Sequence, residues 1–357
     1  TAVRTAGQST PRPAFTQVDR SRPVPLTDAQ KRLWLVQELL PSNAAYNMPT
    51  LVRLRGPLLA APLQDAFDRL RQRHEVLRLR FQEQDGEPAQ VVDDNLHVPV
   101  EFHDLTTLPA AQRDGAARRL IEADALVPFN LHRGACVRLW LLRLDEANHL
   151  LYLNAHHVLA DGWSVGLLLN DLFALWRGEI GPPPEVDFLE SVAAQPAPDE
   201  ADLDFWRERL RGPLPVVELP SDGVRPPMPT LNGAVLPVAY PASLGDAVRA
   251  LAARCQSTPF VVLLAAFVAL VHRLTGQDDL LIGSDHFGRE DPRFDRTAGM
   301  FVRTLAYRID ASGPVTFAEL VRRTHETVLQ SQDHARVDFS RVVQAVSPDR
   351  DLSRTPL

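Results

Sequence analysis

The sequence predicts an α/β fold, an α+β sandwich present in two units, and three observations carry that expectation. Strand-like runs alternate with amphipathic helices in both halves, 357 residues exceed a usual single core, and Pro- and acid-rich sequence after Trp176 interrupts the apolar pattern. With 45% hydrophobic and 23% charged residues the chain has the make-up of a folded protein. Its net charge of −7, without a basic run, argues against a nucleic-acid or membrane-surface binder.

The elements follow in order. Thr1 to Pro25 mixes Thr, Pro, Arg and Ser without periodicity and reads as a linker, residues 1–25. Thr27 and Gln30 form a capping-box pattern, after which Ala29, Leu33, Val36 and Leu40 recur at helical spacing. A second helix follows Pro62, with strands expected at Thr50 to Leu54, Leu77 to Phe81 and Val98 to Phe102. Ala135 to Leu144 and Leu150 to Val158 read as a long hairpin, and a helix begins near Ser164. Beyond Trp176, helices are expected at Leu244 to Cys255, Phe260 to Leu274 and Phe317 to Gln330, with strands at Leu280 to Ser284 and Thr304 to Ile309. The longest apolar run, Phe260 to Val271, is too short to cross roughly 30 Å of hydrocarbon and reads as a buried helix. Cys136 and Cys255 form neither a disulfide framework nor a zinc spacing, and no secretory pattern opens the chain, so a cytoplasmic location is expected.

The densest polar cluster is His156-His157-Val158-Leu159-Ala160-Asp161-Gly162-Trp163-Ser164, between a strand and a helix. Its bland reading is one buried, hydrogen-bonded histidine and one exposed one. Zinc is disfavoured because neighbouring strand residues point to opposite faces. Gly162-Trp163-Ser164-Val165-Gly166 matches a nucleophile elbow, but Leu159 to Trp163 separate Ser164 from the strand and no HGGG-like segment precedes it. General acid/base or hydrogen-bonding chemistry by one histidine remains. Asp161 then needs a cation. Arg289 is the candidate, expected to pair with it across the two units, although a solvated loop arginine would look the same. Gly162 offers the turn a backbone without a side chain.

In these residues the chain resembles the condensation domains of nonribosomal peptide synthetases, within the acyltransferases similar to chloramphenicol acetyltransferase. Leu26 to Trp34 resembles the first family motif, Arg73 to Phe81 the second, His156 to Ser164 the third, Gly299 to Thr304 the fifth and Arg350 to Leu357 the last. The match departs at Arg303, where the family has Asn, at a weak fourth motif around Val186 to Phe188, and at a partial sixth around His334 to Phe339.

The resemblance implies two chloramphenicol-acetyltransferase-like subdomains in a V-shaped pseudo-dimer: 26–185, with the HHxxxDG motif, and 186–357, lacking its usual C-terminal end. Residues 1–25 would come from an upstream carrier domain. It implies peptide-bond formation by thioester aminolysis, an acyltransferase reaction in which an acceptor aminoacyl amine attacks a donor thioester, of the type joining two L-residues. An epimerisation-type relative and a non-catalytic carrier-docking relative are the alternatives. The implied catalytic set is His157, His156, Asp161 and Gly162, with His157 meeting the amine. Arg289, Trp163, Ser164 and Arg78 would support the site, and Arg303 and Thr304 would lie on the acceptor side of the channel. No metal and no cofactor of the domain's own is implied, phosphopantetheine arriving on carrier proteins. The implied partners are upstream donor and downstream acceptor carriers and an adjacent adenylation domain in one multidomain chain, with no nucleic acid and no membrane.

Overall fold

The computed structural model describes residues 15, 17–56, 58, 60–179, 181–194, 199–228, 230, 232–346, 351 and 353–357. Parts of the expected linker (1–14 and 16) and of the last motif (Arg350 and Leu352) lie outside them. The chain divides into two compact units: Thr1–Gln195 with Arg289–Met300, and Pro196–Gly288 with Phe301–Leu357.

The first unit runs β1 (Val24–Pro25), α1 (Asp28–Leu39), β2 (Asn47–Arg55), α2 (Ala60–Arg73), β3 (Leu79–Gln84), β4 (Glu87–Val92), β5 (Val100–Asp104), α3 (Ala110–Ala125), β6 (Val137–Arg143), β7 (Asn148–His156), α4 (Gly162–Trp176) and α5 (Phe188–Ala193). Helix α1 begins as its capping box dictates: Thr27 Oγ1 accepts from the Gln30 N–H and Gln30 Oε1 from the Thr27 N–H, both at 3.1 Å. The main sheet has the order β2-β7-β6-β5, antiparallel except for the parallel β5–β6 pair, and a second sheet is ordered β1-β4-β3. The β6–β7 hairpin is buried on both faces, which is why both strands read as nearly unbroken apolar runs. Pairing of Val24 with Gln90 makes the end of the expected linker part of this unit.

The second unit contains α6 (Glu200–Arg209), α7 (Ala242–Arg254), α8 (Pro259–Thr275), β8 (Asp279–His286), β9 (Arg303–Asp310), α9 (Phe317–Asp333) and α10 (Phe339–Val346). Its core gathers Val261, Ala265 and Val268 of α8, Leu280, Leu305 and Ile309 of the β8–β9 pair, and Val321 of α9. Three expectations are corrected. Helix α8 is buried along one stripe only, Phe260, Leu263, Phe267 and Leu270 on the other being 43–57% exposed. The boundary drawn at 185/186 falls ten residues later, because Phe188 and Leu189 sink into the first unit's core. Arg289–Met300 also returns to the first unit, which a division by composition along the chain has no means of detecting. Among the described residues no single helix is long and apolar enough to cross a membrane.

Candidate functional site

Strand β7 carries His156 into the interior between β2 and the residues preceding β6. The His156 N–H donates to the Cys136 carbonyl at 2.9 Å, and the side chain is fully buried. Its Nδ1 accepts from the Val158 N–H at 3.1 Å, which places the ring proton on Nε2, 3.3 Å from Gln37 Oε1. Tyr46 and Phe129 meet the imidazole edge-on. Burial, with a smaller contribution from His157, lowers the His156 pKa to about 4, so the ring is neutral at physiological pH. Both ring nitrogens are engaged within the fold.

His157 leaves the strand. Its N–H donates to the Tyr46 carbonyl at 2.9 Å, its side chain is half-buried, and among the described residues its Nδ1 has no hydrogen-bond partner. The two histidines thus have separate environments, as the alternation of side chains along an extended backbone requires.

Asp161 caps α4, accepting from the Ser164 N–H at 2.8 Å, while its own N–H donates to the Gly299 carbonyl at 3.2 Å. Arg289 reaches the same place: Nη2 lies 2.8 Å from Ser164 Oγ and 3.4 Å from Asp161 Oδ1, and Nη1 donates to the Phe294 and Thr297 carbonyls. Burial lowers the Arg289 pKa and the Asp161 carboxylate counteracts it. Both residues belong to the first unit, so the pair does not bridge the units, and Arg289 is no solvated loop residue. Ser164 Oγ donates to the Gly299 carbonyl at 2.8 Å and accepts from its N–H at 3.0 Å, so the hydroxyl binds a loop rather than serving as a nucleophile. Trp163, half exposed, donates from Nε1 to the Asp295 carbonyl at 3.1 Å.

Gly162 needs a different account from the one expected. Its φ is not positive and an added Cβ would meet nothing within 4 Å among the described residues, so the fold itself does not demand glycine there. Arg78 is corrected as well. The short turn Glu75–Arg78 aims it back at α2, where Nε donates to the Arg71 carbonyl at 2.9 Å and Nη1 to Asp94, so it braces that turn and not the His-bearing one. Arg303 and Thr304 open β9 in the second unit; Arg303 Nη1 donates to the Ala335 carbonyl at 3.0 Å, and Thr304 lies opposite Asp285.

Several supporting residues escaped the sequence. Gln30 Nε2 donates to the Val158 carbonyl at 3.1 Å, and with Gln37 it makes two buried polar residues seven apart on α1. That heptad spacing on the helix's apolar stripe was the available signal. Asp124 of α3 accepts from Tyr152 at 2.8 Å and Asn154 at 3.0 Å and forms an ion pair with Arg138 at 2.8 Å, and Arg138 lies 4.0 Å over the Phe129 ring that faces His156. Gly299 packs so tightly on Phe188 that a Cβ would sit 2.0 Å from its Cδ2.

The Condensation domain family model matches residues 20–357. The phosphinothricin tripeptide synthetase PhsC of Streptomyces viridochromogenes is 38% identical over 99% of the chain and 34% of its own length. The malpibaldin synthetase of Mortierella alpina is 33% identical over 96% of the chain. The chain spans 6% of that synthetase, so both relatives are far longer. Among solved structures, holo-AB3403, a four-domain nonribosomal peptide synthetase bound to AMP and glycine, superposes over 94% of the chain and 26% of its own with a TM-score of 0.83 at 26% identity.

Proposed function

The chain belongs to the Condensation domain family, and on that premise we propose that it forms a peptide bond between two aminoacyl groups held on carrier proteins. The acceptor's amine nitrogen attacks the carbonyl carbon of the donor thioester, the C–N bond forms, the C–S bond breaks, and the amine proton leaves as the donor's thiol is released. The pantetheine arms belong to the substrates, the upstream and downstream carriers are the partners, and an adenylation domain in the same longer chain would supply the loaded acceptor.

One observation carries this reading: of two adjacent histidines, His156 is sealed, neutral and doubly hydrogen-bonded, whereas His157 keeps a ring nitrogen without a protein partner among the described residues. An imidazole side chain so placed can accept or orient the amine proton as the tetrahedral species forms. Gly162, which the fold does not require, leaves room beside it for a substrate backbone. His156, Asp161, Ser164 and Arg289 position the turn rather than touch the reacting atoms. Arg303 in place of the family's Asn would tune acceptor preference.

The test is a single-turnover assay with loaded donor and acceptor carriers, read by mass spectrometry of the acceptor-bound product. The amide-bearing product should appear with the native chain, and His157→Ala should slow it by about 100-fold or more with an unchanged circular dichroism spectrum. Retained turnover would remove His157 from the chemistry. Epimerised substrate of unchanged mass, or carrier binding without product, would replace the condensation reading itself.

A further inference from the structure

In the second unit, α6 ends on Arg209 over a cavity of about 370 Å³ whose charged lining is Arg209, Arg308, Arg323, Asp279, Asp310 and Glu326. Five of these six side chains have a counter-charge. Arg308 holds Asp279 through two nitrogens at 2.7 and 3.1 Å, Arg323 reaches Asp310 and Glu319, and Glu326 receives Arg322. Arg209 differs. Among the described residues its guanidinium meets neutral oxygens only, Thr327 Oγ1 at 2.6 Å and the Arg308 carbonyl at 2.9 Å, and its Nε is buried without a partner. Burial and repulsion from Arg308 lower its pKa, with Asp279 opposing them. A partly desolvated cation lacking a counter-ion is unfavourable, and the cavity beside it has room for one.

We propose that this cavity is an oxyanion site in which Arg209 receives a single small carboxylate or phosphate group. Both N–H groups of Arg209 Nη2 are taken by Thr327 and the Arg308 carbonyl, which hold the guanidinium in place, so the charge-assisted donors to such a group come from Nη1. Asp279, Asp310 and Glu326 line the same cavity and disfavour ligands that carry several negative charges. The site lies wholly in the second unit and uses none of the residues assigned to peptide-bond formation.

Thermal unfolding of the whole chain, with sodium phosphate or sodium acetate replacing sodium chloride at constant ionic strength, tests the site. The midpoint should rise and saturate with one of the two anions, phosphate identifying a phosphoryl ligand and acetate a carboxylate. Arg209→Gln should abolish the saturating rise, and Arg209→Lys, which keeps the charge but cannot both hold Thr327 and the Arg308 carbonyl and face the ligand, should weaken the apparent affinity about tenfold. Phosphate also stabilises folded proteins by exclusion from their surface, but that effect does not saturate and is common to all variants. Absence of a saturating component in the native chain, or the same component in Arg209→Gln, overturns the proposal. Should the Gln variant fail to fold, an unaltered affinity in Arg209→Lys overturns it equally.

Discussion

Arg289 and Ser164 are joined more closely than Arg289 and Asp161: the guanidinium lies 2.8 Å from the hydroxyl and 3.4 Å from the carboxylate. The hydroxyl is therefore the hub. It ties the first turn of α4 to Gly299, while Arg289 fastens the carbonyls of Phe294 and Thr297 to the same point. A stretch of chain more than a hundred residues downstream in this way becomes the support of the turn that follows His157.

Replacing Arg289 by Ala leaves the Asp161 carboxylate, 6% exposed, without its buried cation and releases both carbonyls. Breaking a buried pair in this way costs about 3 to 5 kcal/mol, to be read as a lower urea midpoint. Arg289→Lys should recover little, because one ammonium cannot span four acceptors. A loss below about 1 kcal/mol, the scale of a surface pair, would mean that apolar contacts alone hold the 289–300 segment.

His156 makes stability depend on pH in a defined window. Its folded pKa of about 4 lies below the ordinary 6.5, so the unfolded chain binds the extra proton. The contribution is complete above about pH 6.5 and is lost as pH falls towards 4, amounting to about 3 kcal/mol over that range. Urea midpoints measured across this window should fall with acid in the native chain and fall less in His156→Gln, which cannot take up the proton. Parallel pH curves for the two proteins would place the acid-sensitive group elsewhere.

Gly299→Ala drives a methyl group into the ring of Phe188, which is itself buried. Overpacking of this kind costs about 1 to 3 kcal/mol. Phe188→Leu removes the obstructing edge, so the double variant should lose less than the sum of the two single losses. Strict additivity in denaturation experiments would show that Gly299 is needed for its backbone bonds and not for its closeness to Phe188.

The elements legible in the sequence were those built on large apolar side chains at regular spacing, such as the β6–β7 hairpin and α4. Helix α3 was not legible because its buried face is made of Ala116 and Ala117. Small residues give a weak periodic signal even where helix propensity is high. With α3 went Asp124, the acid that fastens Tyr152 and Asn154 of the histidine-bearing strand. The His156–Ser164 cluster was legible as a local pattern, and so was the difference between its two histidines. Its props were not, since the spacing of Gln30 and Gln37 marks two buried polar residues without saying what they hold, and Phe188 and Gly299 come together only through tertiary folding. The same reason hid the return of Arg289–Met300 to the first unit.

Arg20, placed by sequence in a linker, makes the last prediction. Its guanidinium lies 2.8 Å from Glu75, 2.9 Å from Asp187 and 3.3 Å from Glu190, so one cation faces three carboxylates. Glu75 is buried and also accepts from the Leu189 N–H at 2.8 Å. Burial raises the pKa values of both Glu75 and Asp187, with Arg20 opposing the rise. An acid whose folded pKa exceeds its unfolded one favours the fold while protonated and ceases to as pH climbs through the folded value. Removing Arg20 pushes both values higher still. The penalty of Arg20→Ala should therefore be smaller near pH 5 than near pH 8, because Glu75 and Asp187 come to depend on the cation as they lose their protons. Urea midpoints of the two proteins at both pH values measure it directly, and limited proteolysis should find residues 17–25 more readily cut in the variant at the higher pH. An equal gap in midpoint at both values would show that Arg20 acts through packing of its aliphatic stem.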